Sequence, residues 1–161
     1  MKSKNRKGGI STIIVWMIAT VILSCTFYIY MQNNIITIKY ENLSQFARDN
    51  MLILETNGEI EKSYLLDCKN KLSDKLNMKN GETLNVYLKV NDVEYNISST
   101  STPNVIQTDY GDNISIRYEY KYQSKIISMK NGSFKLNMTN KMETMESSMQ
   151  SISKNRNTSD G

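Results

Sequence analysis

From Gly8 to Ile38 the chain carries no charged side chain, and that stretch constrains everything else the sequence can do. Its densest part, Ile10 to Met31, is 22 residues long. As a helix rising about 1.5 Å per residue it crosses a hydrocarbon layer about 30 Å thick. Ten of the 22 residues are Ile, Val, Leu or Phe, and each favours insertion by about a few tenths of a kcal/mol. Trp16, Tyr28 and Tyr30 lie toward the two ends, where aromatic rings prefer the interface. Lys2, Lys4, Arg6 and Lys7 precede the run. Such a cationic cluster stays in the cytoplasm, so the bulk of the chain is expected outside a cell membrane that it crosses once.

The net charge of +4 belongs to this leader, because the other sixteen basic and sixteen acidic residues balance. A neutral remainder does not support a nucleic-acid surface. Three fates are open to the apolar run. A cleaved secretion signal has an apolar stretch of about 7–15 residues and an A-x-A-like site, and this run is longer and lacks the site. Ile22-Leu23-Ser24-Cys25 loosely resembles a lipobox, which makes Cys25 a candidate lipidation site. Leu23 is bulky for that role, however, and the chain stays apolar through Met31. The third fate is a retained transmembrane helix, with or without trimming at Lys7-Gly8-Gly9, and retention is the reading adopted. In lipid, helices associate through small residues, and Ser11, Ala19, Ser24 and Cys25 are the candidates.

Beyond the run the helical rhythm continues. Ile36, Tyr40, Leu43, Ala47, Asn50 and Leu54 recur at spacings of three and four, broadened by Phe46 and Met51. No proline falls between Ile10 and Asn57, and Gly58 is a stop signal. Residues 32–57 therefore form either the continuation of the anchor or a separate amphipathic helix after a hinge at Gln32-Asn33-Asn34. Ile60, Tyr64, Leu65, Cys68, Leu72 and Leu76 predict a second helix closed by Asn80-Gly81.

The period then becomes two. Leu84, Val86, Leu88 and Val90 share one strand face, and Val93, Tyr95 and Ile97 another, with a hairpin turn at Asn91-Asp92. Ser98 to Pro103 reads as a loop. Ile114, Ile116, Tyr118, Tyr120 and Tyr122 resume the alternation, and a last hairpin turns at Asn131-Gly132. The tyrosine row is read as a sheet face packed on the long helix rather than a binding platform. Met138, Met142, Met145, Met149 and Ile152 return to helical spacing, and Asn140 with Glu143 resembles a capping box. Residues 140–161 are thus expected as a methionine-rich helix or a frayed tail. The organisation reads as leader 1–9, anchor 10–31, helix 32–57, helix plus antiparallel sheet 58–139, then the tail. That is an α+β fold.

Nothing in this pattern points to chemistry. The chain has no histidine, and Cys25 and Cys68 lack zinc or redox spacing. Cys68 reads as a small apolar packer. No phosphate loop occurs and no nucleophile stands beside a base. An enzyme is therefore not expected, nor a cofactor, a metal or a small-molecule substrate. Two functions share the remaining topology. One is a structural subunit of a cell-surface assembly, the other an anchored or lipidated extracellular binding or sensory module.

The abrupt apolar run after Lys7-Gly8-Gly9, the stretch "LSQFARDNMLILETNGEIE" and the stretch "NVIQTDYGDNISIRYEY" together carry a resemblance. Phe46-Ala47-Arg48, Glu55 and Gly58 in the first stretch, and Ile106-Gln107 and Gly111 in the second, are its residues. They resemble TadE-like minor pilins and the related small proteins of clostridial tight-adherence-type pilus loci. The resemblance covers most of residues 1–122. It implies a pilin-like fold, a Gram-positive cell surface, and other pilin-like subunits or assembly platform proteins as partners. It also implies a leader-peptidase site at Gly8, Gly9 and Ile10. Pilins cut in this way usually carry glutamate at the fifth mature position. Here that position is Ile13 or Ile14, which favours an accessory role over a main fibre subunit.

Overall fold

A computed structural model describes the backbone of residues 7–130 and 133–154, and the side chains of 12–124 and 141–154. The leader lysines and arginine before Lys7, the Asn131-Gly132 turn and the last seven residues lie outside the described residues. The chain divides into two units, Met1–Ile38 and Lys39–Gly161. One helix, α1 (Lys7–Leu54), supplies the first unit and opens the second. It runs through Gln32-Asn33-Asn34 without a break, which decides between the two expectations for that region. Three amides are poor helix formers but remove no backbone donor, so they do not stop a helix already propagating.

In the first unit, α1 is apolar all round. Trp16 is 70% exposed, Leu23 70% and Phe27 64%. The helix is long and apolar enough to cross a membrane. Three of its hydroxyls bond to the helix's own carbonyls. Thr20 Oγ1 donates to the Trp16 carbonyl at 2.6 Å, Ser24 Oγ to Thr20 at 2.8 Å, and Thr26 Oγ1 to Ile22 at 2.8 Å. Such bonds leave little polar surface to desolvate in lipid.

The second unit is α+β. After α1 come β1 (Glu59–Glu61), α2 (Lys62–Leu76), β2 (Thr83–Val90), β3 (Val93–Asn96), β4 (Val105–Gln107), β5 (Asn113–Lys130) and β6 (Ser133–Ile152). The main sheet is antiparallel in the order β3-β2-β5-β6, and β1 pairs with β4 in a small second ladder. The alternation read from sequence sets the core. Leu84, Val86, Leu88 and Val90 of β2 are buried, as are Ile114, Ile116, Tyr118 and Tyr120 of β5. Leu43, Ala47, Met51 and Leu54 of α1 and Leu65, Cys68, Leu72 and Leu76 of α2 complete it. Asn91 takes a positive φ of 52° in the tight β2–β3 turn, a conformation asparagine tolerates well.

Three expectations are corrected. Ile60 does not begin the second helix. It sits in β1, 2% exposed and paired with Ile106, and α2 starts at Lys62. That helix ends at Asn77 in the left-handed conformation, before Asn80-Gly81. The largest correction concerns residues 140–152, which are neither helix nor frayed tail but the second half of β6. Met145 pairs with Tyr120, Ser147 with Tyr118 and Met149 with Ile116. The methionine spacing fits a helix, but β5 would otherwise leave a long row of backbone groups without partners, and that tertiary demand overrides local preference. Asn140 and Glu143 form no cap, and Glu143 instead accepts a bond from the Tyr122 hydroxyl at 3.1 Å.

Candidate functional site

The candidate residues of the apolar part of α1 separate into two groups. Gly8, Gly9, Ile10 and Ser11 belong to the backbone of α1, and their side chains lie outside the described residues. At about 100° per residue, Ser11, Ala19 and Cys25 fall within about a third of the helix circumference, while Ser24 falls on the other side. Ala19 and the Cys25 thiol are exposed. The continuous helix thus brings three of the four packing candidates onto one stripe.

In the second unit the polar chemistry lies between α1 and the sheet. Asn50 sits in the apolar stripe of α1, 4% exposed. Its Nδ2 donates to the Tyr118 hydroxyl at 2.5 Å, while its Oδ1 accepts from the Tyr64 hydroxyl at 2.9 Å and the Cys68 thiol at 3.2 Å. One amide therefore ties α1, α2 and β5 together. Burial pushes the pKa of Tyr118, Tyr64 and Cys68 upward, so all three stay protonated and donate or accept as neutral groups. Cys68 is a packed thiol, as its position in the helix stripe suggested, with a weak bond added.

A second node stands where the uncharged run ends. Lys39, its first charged residue, donates to the Tyr120 hydroxyl at 2.7 Å, and that hydroxyl donates to Glu82 at 2.5 Å. Lys39 and Glu82 are 3.9 Å apart. Burial lowers the Lys39 pKa against the attraction of Glu82. Burial acts to raise Glu82, but the Tyr120 hydroxyl, the Lys79 amide and Lys39 outweigh it and hold the carboxyl below its usual value. A third link joins the far end of β6 to the turn after α1. The Lys154 amide donates to the Glu55 carbonyl at 2.7 Å, and its ammonium meets the Glu55 carboxylate at 2.5 Å.

Tyr118 and Tyr120 of the tyrosine row therefore pack on the long helix and their hydroxyls hold it there, while the Tyr122 hydroxyl turns to Glu143 of β6. Sequence reading missed what these links would be. A lone asparagine inside an apolar helix stripe was the available signal for the first. A cleft of about 520 Å³ is lined by Thr56, Asn57, Gly58, Glu59, Gln107, Thr108 and Asp109. Thr108 spends its polar groups closing the backbone, donating to Gly58 at 2.9 Å and to Asn57 at 3.1 Å. Neither a thiol nor an activated hydroxyl faces a base there. Among the described residues no group of three acidic or cysteine side chains is placed to hold a metal ion. Comparison of the chain with protein-family models, curated proteins and solved structures finds no match.

Proposed function

We propose that this protein is a membrane-anchored, pilin-like accessory subunit of a pilus or secretion-type assembly, with no catalytic activity. The N-terminus stands in the cytoplasm and the sheet-bearing unit outside. Its partners are membrane lipid and either other pilin-like subunits or assembly platform proteins. No nucleic acid and no small-molecule substrate enters the reading. The observation that carries it is the continuity of α1, a single helix that begins in an apolar, membrane-length segment and ends as the helix on which an antiparallel sheet is built. The stripe of Ser11, Ala19 and Cys25 supports lateral packing of that helix in lipid. Ile13 and Ile14, where a fibre subunit would offer a carboxylate, support the accessory role.

The test is a deletion strain of the producing cell, with in-membrane crosslinking from position 19 (Ala19→Cys). The expected result is loss or thinning of surface fibres and crosslinks to a helix of an assembly component. Normal fibres and secretion in the deletion strain, with no such crosslink, would overturn the reading and leave an anchored binding module.

A further inference from the structure

Two hollows of the second unit meet at Asn57 and Glu59, which line both. One is the cleft of about 520 Å³ between the turn after α1 and the end of β4, and its wall is polar or glycine throughout. The other, about 260 Å³, is lined in addition by Leu54, Ile60, Glu61 and Tyr64. A polar hollow and a partly apolar one thus stand side by side.

The fold sets these walls before any ligand arrives. Glu59 and Gln107 are paired across β1 and β4 and share a sheet face. Thr108 pins the backbone of Asn57 and Gly58. Asp109 opens a turn that is closed from both sides. Its carbonyl accepts from the Asp112 amide at 3.1 Å, and its own amide donates to the Asp112 carboxylate at 2.8 Å. Gly111 supplies the positive φ of 93° which that turn requires. Tyr110 stands at the tip, 64% exposed. Among the described residues, the side chains of Asn57, Glu59, Gln107 and Asp109 have no hydrogen-bond or ion-pair partner. A ligand meets them without breaking a bond inside the protein.

The residue types narrow the ligand. Neither wall contains a lysine or arginine, and the carboxylates of Glu59 and Asp109 repel anions. The acidic side chains are not grouped to hold a metal ion. A basic peptide side chain would satisfy the carboxylates and leave the amides and the apolar wall idle. Amides that both donate and accept match hydroxyls and a secondary amide. Leu54 and Ile60 offer a surface for a methyl group, and the exposed tyrosine ring offers a flat apolar face. Hydroxyls, an amide, a methyl and an apolar ring face occur together in an N-acetylated sugar.

We infer that the two hollows form a binding site for a neutral oligosaccharide bearing N-acetyl groups. Sugar hydroxyls meet Asn57, Gln107 and Asp109 in the larger hollow. The acetamido methyl enters the smaller one against Leu54 and Ile60, and Tyr110 stacks on an adjoining ring. The site needs only the folded second unit and does not rest on assembly into a fibre.

The test uses the full chain in phosphatidylcholine nanodiscs and saturation-transfer NMR with tri-N-acetylchitotriose. Cellotriose, which has a hydroxyl in place of each acetamido group, is the comparison. The expected result is saturation strongest at the acetyl methyl protons, with cellotriose binding about tenfold more weakly. Asn57→Ala and Tyr110→Ala should each weaken chitotriose binding about tenfold, with thermal unfolding unchanged. Lys89→Ala, on the exposed face of β2, should leave it as it is. No saturation of the N-acetylated trimer, an equal response to both trimers, or binding that survives both cleft variants would each overturn the proposal. Binding of trilysine in place of the sugar would overturn it in favour of a basic peptide.

Discussion

Asn50 is the residue on which the folded unit turns. Its amide satisfies the Tyr118 hydroxyl, which is buried in the core and has no route to water. Asn50→Ala is expected to cost about 1–3 kcal/mol through the unsatisfied phenol, read as a lower midpoint of denaturant unfolding. Tyr118→Phe in the same chain should restore part of the loss, because it removes the stranded group. If the two losses simply add, the amide is not the link described.

The tyrosines also fix how stability depends on pH. Burial raises Tyr64, Tyr118, Tyr120 and Tyr122 above their ordinary value of 10.0. In the unfolded chain these protons leave near that ordinary value, whereas the folded chain keeps them to higher pH. Above it the unfolded state binds fewer protons, so stability is fully present below about pH 10 and falls as pH rises past it. Thermal melts across about pH 9–11 should show the midpoint dropping, with buried tyrosinate absorbance appearing only on unfolding. Titration of every tyrosine near the ordinary value in the folded protein would refute this.

At the scale of elements, β6 separates local pattern from tertiary demand. The alternations of β2 and β5 were legible because one sheet face is buried and the other is not, and each strand records that difference in itself. β6 does not record it. Its inward positions are Glu143, Met145, Ser147 and Met149, a mixed set without a hydrophobic period of two. Ser147 is small and polar because α1 comes close there, its hydroxyl 3.2 Å from that of Ser44. A strand shaped by the partner's proximity carries its signal in the partner. The same reasoning explains β1 and β4, three residues each, which are defined by pairing and by little else. Ser147→Leu distinguishes strand from helix at this point. In the strand it crowds α1 and is expected to destabilise by about 1–3 kcal/mol, while the outward Ser148→Leu should stay within about 0.5 kcal/mol. In the methionine-striped helix, position 147 lies off the apolar face and both changes would be mild. Unfolding midpoints of the two variants decide it.

At the scale of the molecule, the sequence announces two solvents before it announces a fold. The uncharged run marks a helix long and apolar enough to cross a membrane, and the change from helical to twofold period marks an α+β unit. The helix-to-sheet links were hidden because they join residues 50 and 118, 39 and 120, and 55 and 154, far apart along the chain. One consequence follows from how those links are spaced. Lys39 to Tyr120, Ser44 to Ser147, Asn50 to Tyr118 and Glu55 to Lys154 are strung along α1 and its closing turn, over about 24 Å of helix at 1.5 Å per residue. Tension drawn along the helix axis must shear all four together, whereas a sideways tug peels them one after another. The sheet-bearing unit is thus mechanically strongest against a load applied along the axis of the part of α1 it holds.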